Sequence, residues 1–483
     1  MPERLAVALL VATAAVLAAA YAFLSFTVAA QQDDALLALL VVAAAPALLA
    51  MAVAPSLIMV ALTAALVANA GLVLNIQFGV PSVVRGLAVV GLLIAVERPF
   101  LRRGLFRAGP VLAALAAYAV VRLGTAMVSP RVVEFGAVAQ ELAYGLAIVA
   151  LLGLGGLRMD WARRTALALV GATATLCVAA LAREYGLIDG AFGFAEYQAL
   201  TPDLQQIVNR SLVPIDLGGR IGGPVAEPNF WAQMLVFVLP IALWATWRRA
   251  GAARALGVVA VASIALALVQ TSSRGGLLAA GVALVVLCLL GGPRARRLAV
   301  LVPIVLAAGL MLSGGADRFV AITQVLDPAA AEDEAVRGRA SENLAAVEML
   351  GDHLFTGVGA GNYPSAYVGY AAEVGLDARN AEREAHNSYL EAAAESGILG
   401  GMSFLALMIV GVAAPLRARR RLLADGRTEG AGLAAAVAAG LAGYAVGAAF
   451  LHQGFPEYTW LALGFSAMVV TLARGAPAPG KAP

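Results

Sequence analysis

Residues 384–415 read EAHNSYLEAAAESGILGGMSFLALMIVGVAAP, a polar opening that runs without a break into an apolar stretch. From residue 395 to residue 415 the only charged side chain is Glu395, and a helix of that length crosses the roughly 30 Å hydrocarbon core of a bilayer. The residues just before it include Glu384, His386, Asn387 and Glu391, groups that a bilayer interior penalises. The stretch therefore reads as a water-facing segment feeding a membrane helix, with ionisable chemistry at the mouth of that helix.

The rest of the chain agrees. Of its 483 residues 61% are hydrophobic and 13% charged, and the mean hydropathy is +0.86. That composition excludes an ordinary soluble globular protein and indicates a polytopic membrane protein. The net charge of +3 comes from arginines grouped between apolar runs. Such grouping is a topology signal and gives no ground for nucleic-acid binding. Cys177 and Cys288 both fall inside apolar runs and read as small core residues. Arg4 with residues 5–25 resembles a secretory leader, but the apolar stretch exceeds a typical leader core, so a retained first helix is expected.

About fourteen apolar runs are long enough to span, near residues 5–25, 35–53, 55–77, 81–96, 109–129, 136–157, 165–186, 229–247, 252–270, 275–292, 296–313, 395–415, 431–452 and 457–474. The expected fold is an all-α helical bundle of about 12 to 14 transmembrane helices with a large outward loop carrying short amphipathic helices. The expected order is membrane helices over 1–186, a loop over 187–228, helices over 229–313, a long polar segment over 314–394, helices over 395–474 and a disordered tail over 475–483. Arg102/Arg103/Arg107, Arg158/Arg163/Arg164, Arg248/Arg249/Arg254, Arg294/Arg296/Arg297 and Arg417/Arg419/Arg420/Arg421 fall on one side if the helices alternate. Positively charged short loops stay in the cytoplasm, which puts both termini inside and the segments 187–228 and 314–394 outside.

Within 314–394, Arg339 to Leu350 places Ala340, Leu344, Val347 and Leu350 near helical spacing, as in an amphipathic helix lying on the bundle or the membrane. Gly357-Val-Gly-Ala-Gly361 lacks the Lys-Ser/Thr of a phosphate loop and carries no nucleotide signal. Ser388 followed by Glu391 at capping-box spacing predicts a short helix starting just after His386. A histidine held there can take a proton from a hydroxyl, or it can simply satisfy nearby backbone. His386, His353 and His452 are the chain's three histidines, and no His, Cys and carboxylate spacing repeats a metal pattern; no cofactor is expected.

Four arginines run against the positive-inside bias. Arg274 lies in Thr271-Ser-Ser-Arg-Gly-Gly276, and Arg220 lies in Gly218-Gly-Arg-Ile-Gly-Gly-Pro224 with Glu227-Pro-Asn229 following. Arg85 and Arg122 sit inside apolar runs, toward the outer end. A charge at the bilayer centre costs about 2.5 to 3.5 kcal/mol on insertion scales, so such residues face a cavity or a partner. An outer-face arginine set fits an anionic ligand, a diphosphate above all, because the guanidinium fork matches phosphate oxygens. Ion pairing with Glu227, Glu141 or Glu97 is the alternative. Tyr363, Tyr367, Tyr370 and Tyr389 could serve as sugar-stacking platforms or as anchors for the loop.

Three blocks together resemble the O-antigen ligase and O-antigen polymerase superfamily. They are Gly219-Arg220 through Glu227-Pro-Asn229, the Ser273-Arg274-Gly-Gly-Leu-Leu helix start, and Asp352-His-Leu-Phe-Thr-Gly leading to Glu384-Ala-His386-Asn387-Ser-Tyr-Leu-Glu391 and Glu395-Ser-Gly. The resemblance covers about residues 215–415. It implies a metal-independent, inverting glycosyltransferase of the GT-C type in the bacterial cytoplasmic membrane, with its active site facing the periplasm or exterior. Such an enzyme moves a glycan from undecaprenyl diphosphate to an acceptor hydroxyl on a glycan, lipid or protein. By this resemblance His386 is the catalytic residue and Arg220 and Arg274 bind the donor diphosphate. Glu227, Asn229, Asn387, Glu395, Arg85 and Arg122 are possible supports. A polymerase would use the same donor chemistry to extend lipid-linked repeats. A polyprenol-linked glycan flippase is the other class to weigh, and it should place ionisable groups near the bilayer midplane.

Overall fold

A computed structural model describes residues 54–71, 82–105, 107–131, 133–187, 220–225, 227–292, 296, 334–376 and 382–475. The spans expected at 5–25, 35–53 and 296–313, most of the loop expected at 187–228, and the tail after residue 475 lie outside the described residues.

Fourteen α-helices and no strand occur among the described residues. They are α1 (Ser56–Val67), α2 (Val83–Glu97), α3 (Pro99–Leu105), α4 (Gly109–Met127), α5 (Phe135–Leu154), α6 (Met159–Glu184), α7 (Pro228–Trp247), α8 (Gly251–Gln270), α9 (Arg274–Leu290), α10 (Glu334–Asp352), α11 (Tyr363–Val374), α12 (Ser388–Ala424), α13 (Thr428–Gly447) and α14 (Pro456–Arg474). Seven spans are long and apolar enough to cross a membrane: α4, α5 with the turn to Leu157, α6, α7, α8, α12, and α13 with the turn to Phe450. The chain is thus a polytopic all-α membrane protein.

Its centre is α7, which is 89% buried along its span, with α13 next at 72%, whereas α8 is only 22% buried. Composition explains the order. α13 is largely alanine and glycine, so its neighbours approach to backbone distance; a Cβ at Gly440 would lie 2.3 Å from the Phe237 carbonyl oxygen. α8 turns Leu256, Val258 and Val259 outward, a surface suited to lipid.

The arginine-rich ends of several helices gather at one end of the bundle. There Glu429 at the start of α13 lies 3.5 Å from Arg248 and 3.9 Å from Arg163. Arg474 donates to the Arg107 carbonyl, and Arg419, on the last turns of α12, donates to the Leu290 carbonyl. α12 runs from the opposite end, where His386 immediately precedes it.

α12 is broken after its second turn, at Ser396 and Gly397. A break in a membrane helix frees backbone groups that lipid cannot satisfy. Here the loop 353–359 supplies the partners: Val358 N–H donates to the Ala394 carbonyl, Gly359 N–H to the Glu395 carbonyl, and Ile398 N–H to the Leu354 carbonyl. The approach is close. A Cβ on Gly357 would lie 2.2 Å from the Glu395 carbonyl carbon, and both Gly357 (φ +65°) and Gly397 (φ +68°) adopt left-handed backbone. The glycine motif at 357–361 is therefore a backbone plug for the broken helix.

α10 departs from the expected amphipathic pattern. Its buried face is Ser341, Glu342, Ala345, Ala346 and Met349, while Leu344 and Val347 are 44% and 49% exposed. Small side chains let α10 approach α11 and the start of α12, forming a second core with Tyr363, Tyr367 and Ala394. The larger apolar residues are left facing outward.

Candidate active site

His386 ends the short connection that enters α12, and its backbone is left-handed at φ +47°, a conformation costly for a residue with a side chain. Asn387 then caps the helix, its side-chain oxygen accepting from the N–H groups of Tyr389 at 3.1 Å and Leu390 at 3.2 Å. The expected capping box does not form. Ser388 donates to the Leu451 carbonyl at 2.6 Å, and Glu391 accepts from the Gln453 N–H at 3.0 Å. Asn387 occupies the N-cap position one residue earlier, and both predicted cap residues instead tie the 451–453 loop to α12.

The imidazole is oriented through one nitrogen. Nδ1 of His386 donates to the Glu384 carbonyl oxygen at 3.1 Å and lies 2.9 Å from Oε2 of Glu342. A carbonyl only accepts, so Nδ1 carries a proton, and the tautomer with this arrangement has its lone pair on Nε2. The Glu342 contact is an electrostatic approach, since Oε2 takes no directed hydrogen bond. Its other oxygen accepts from Nε of Arg383 at 2.7 Å. Glu342 is wholly buried, and the Tyr363 hydroxyl donates to its backbone carbonyl.

His452 faces the same ring edge-on at 5.7 Å between centroids and packs edge-to-face on Phe230 at 4.9 Å. Neither of its ring nitrogens has a hydrogen-bond partner, and both are shut away from solvent. Burial, reinforced by the nearby His386, pushes the His452 pKa down to about 3.

Phe230 joins this cluster to the arginine block. Glu227 caps α7 by accepting from the Phe230 N–H at 2.7 Å, and its second oxygen accepts from Asn229 at 2.8 Å. Asn229 in turn accepts from Nη2 of Arg220 at 3.3 Å, and Nε of Arg220 donates to the Thr271 carbonyl at 2.8 Å. Arg274 opens α9 three positions beyond Thr271 and is exposed, its helix capped by Ser273. Arg220 and Arg274 thus flank one turn, and Glu227 and Asn229 fix the Arg220 fork.

The remaining named residues lie elsewhere. Arg122 and Glu395 form a buried pair at 3.2 Å, with side chains 8% and 2% exposed. Arg122 also donates to the Tyr118 hydroxyl at 3.1 Å and to Gln453 at 3.4 Å, while Glu395 accepts from the Tyr363 N–H. The direct ion-pair partner of Arg122 is therefore Glu395 rather than Glu227 or Glu97. Arg85 is exposed on α2, with its Nη1 3.5 Å from Gln140. Tyr363 and Tyr367 are fully buried and cannot serve as sugar platforms; burial also raises the pKa of the Tyr363 hydroxyl. Among the described residues no group of three or more His, Cys, Asp and Glu side chains is arranged to hold a metal ion.

Glu342, Arg383 and the placement of His452 escaped the sequence. Glu342 looks like one more charge on a polar helix, and only its position beside Ser341 on the buried face of α10 distinguishes it.

The fold and site define a helical membrane protein with one oriented histidine at the start of a broken helix and, joined to it through His452 and Phe230, two arginines at the 271–274 turn. Residues 258–405, less than a third of the chain, match the family model described as O-antigen ligase, so this segment is similar to that family. The match includes Arg274, Glu342 and His386 and stops short of Arg220 and His452. No curated protein matches the chain.

Proposed function

We propose that this protein is a membrane glycosyltransferase that moves a glycan from undecaprenyl diphosphate to an acceptor hydroxyl at the outer face of the bacterial cytoplasmic membrane. The observation that carries this reading is the histidine–arginine arrangement: a base whose tautomer is set by Glu384, linked through His452 and Phe230 to an arginine fork held for an anion. The gathering of arginine loops at the far end supports an outward orientation for His386 and cytoplasmic termini.

In the reaction the acceptor oxygen attacks the anomeric carbon while its proton passes to Nε2 of His386. The bond from that carbon to the diphosphate oxygen breaks, and the electron pair leaves with the lipid diphosphate. Arg220 and Arg274 neutralise the charge that develops there. One displacement inverts the anomeric carbon. Glu227 and Asn229 hold Arg220, Asn387 holds the helix start beneath His386, and the Arg122–Glu395 pair holds α12 in place. Arg85 lies outside this cluster and is assigned no part.

Purified protein supplied with an undecaprenyl-diphosphate-linked oligosaccharide tests the reading by mass spectrometry. Glycan on a new acceptor identifies a ligase, and longer lipid-linked chains identify a polymerase. Glycan that only crosses a vesicle bilayer, with no new bond, would overturn the enzyme reading in favour of a flippase.

A further inference from the structure

We infer that Glu342, with Arg383 behind it, is a positioning residue that sets the basicity of His386 during transfer; this rests on the proposed role of His386 as the base. When Nε2 takes the acceptor proton the ring becomes a cation, and Glu342 Oε2 at 2.9 Å is the anion placed to stabilise it. Nδ1 keeps its proton throughout, donating to the Glu384 carbonyl. Tautomer and charge are thus handled by two different groups, a backbone carbonyl that no side-chain substitution removes and a carboxylate that acts through its charge.

The carboxylate is built into place. It is wholly buried on α10, and its backbone carbonyl is fixed by the Tyr363 hydroxyl. Arg383, with 28% of its side chain exposed, binds the opposite oxygen at 2.7 Å. A buried carboxylate without a cationic partner is costly, so one partner is present in the resting state. Arg383 is that partner at rest, and the proton delivered in the reaction makes His386 a second cation facing the same carboxylate. Arg383 and His386 therefore compete for the same negative charge. Among the described residues His452 on the 451–455 loop faces the ring and Glu384 precedes it on the same connection, while Glu391 on α12 and Tyr363 on α11 belong to the same charge cluster as Glu342 and Glu384. Glu227 on α7 lies beyond Phe230.

The competition gives opposite signs for two substitutions. Glu342→Gln keeps the shape but removes the charge, so the imidazolium forms less readily. The acidic limb of the kcat/KM profile then moves to lower pH by about one unit, as for loss of an opposite charge at this distance. The drop in kcat at neutral pH is about 10- to 100-fold, part of the roughly 10²- to 10⁴-fold that a positioned base contributes, with donor KM little changed. Arg383→Gln frees the carboxylate for His386 and moves the same limb to higher pH. A purely structural Glu342 would lower activity without moving the limb in either variant. The assay follows glycan transfer from the lipid-linked donor between pH 5 and 9, with thermal unfolding in detergent confirming that both variants fold. Limbs that stay put, or that move together, would overturn the inference. Activity retained in His386→Gly would overturn the base reading itself, and the two failures are distinguishable.

Discussion

Replacing Arg122 by methionine removes one half of a buried ion pair while keeping the apolar volume of the side chain. Its guanidinium lies 3.2 Å from Glu395, with side chains 8% and 2% exposed, so neither charge has water to fall back on. After Arg122→Met, the Glu395 carboxylate keeps only the Tyr363 N–H, while the Tyr118 hydroxyl and Gln453 lose a shared donor. Breaking a buried pair from one side costs about 3 to 5 kcal/mol, roughly a 10²- to 10⁴-fold shift toward the unfolded state. Replacing both partners, as in Arg122→Met/Glu395→Leu, leaves no stranded charge and should recover most of that loss. Equilibrium unfolding in lipid bicelles measures Arg122→Met, Glu395→Leu and the double variant, and glycan transfer should follow stability because Glu395 closes the first segment of α12, directly after His386. A single variant within about 1 kcal/mol of the parent, or a double variant that costs the sum of the singles, would refute the buried-pair account.

His386→Gly should abolish transfer while relaxing a left-handed backbone, so a folded, inactive product by circular dichroism and mass spectrometry is expected. Arg220→Lys or Arg274→Lys should raise donor KM by roughly 10- to 100-fold, because an ammonium cannot replace the fork and one charged hydrogen bond contributes about 1.5 to 3 kcal/mol; steady-state kinetics with the lipid-linked donor reads this. Gly397→Ala should destabilise the chain by about 2 kcal/mol or more, since its Cβ would lie 2.5 Å from the Phe355 carbonyl carbon at a positive φ, and a thermal melt checks it. Acid should weaken the fold through His452. The folded ring resists protonation down to about 3 while the unfolded ring protonates near 6.5, so this contribution is complete above 6.5 and declines as pH falls, by about 2 kcal/mol at pH 5. His452→Phe should remove that part of the acid sensitivity, as unfolding at pH 7 and pH 5 will report.

What the sequence determined by itself was whatever apolar length and local pattern encode. Long apolar runs force helices in a bilayer, so α4, α5, α7, α8, α9 and α14 could be read within about three residues of their ends, and α6 and α13 within about six. The residues Arg220, Glu227, Asn229 and His386 stood out because polar groups are conspicuous against an apolar chain. The tertiary structure decided everything that depends on which face meets which. The broken α12 looks like an ordinary span, because a helix interruption shows only when a distant loop, here 353–359, satisfies the freed backbone. Arg122 could be suspected of needing a partner, but Glu395 lies far along the chain and only the packing of α4 on α12 chose it. Glu342 was invisible for the same reason: a carboxylate on a polar helix becomes a partner for His386 only when small neighbours let that face be buried.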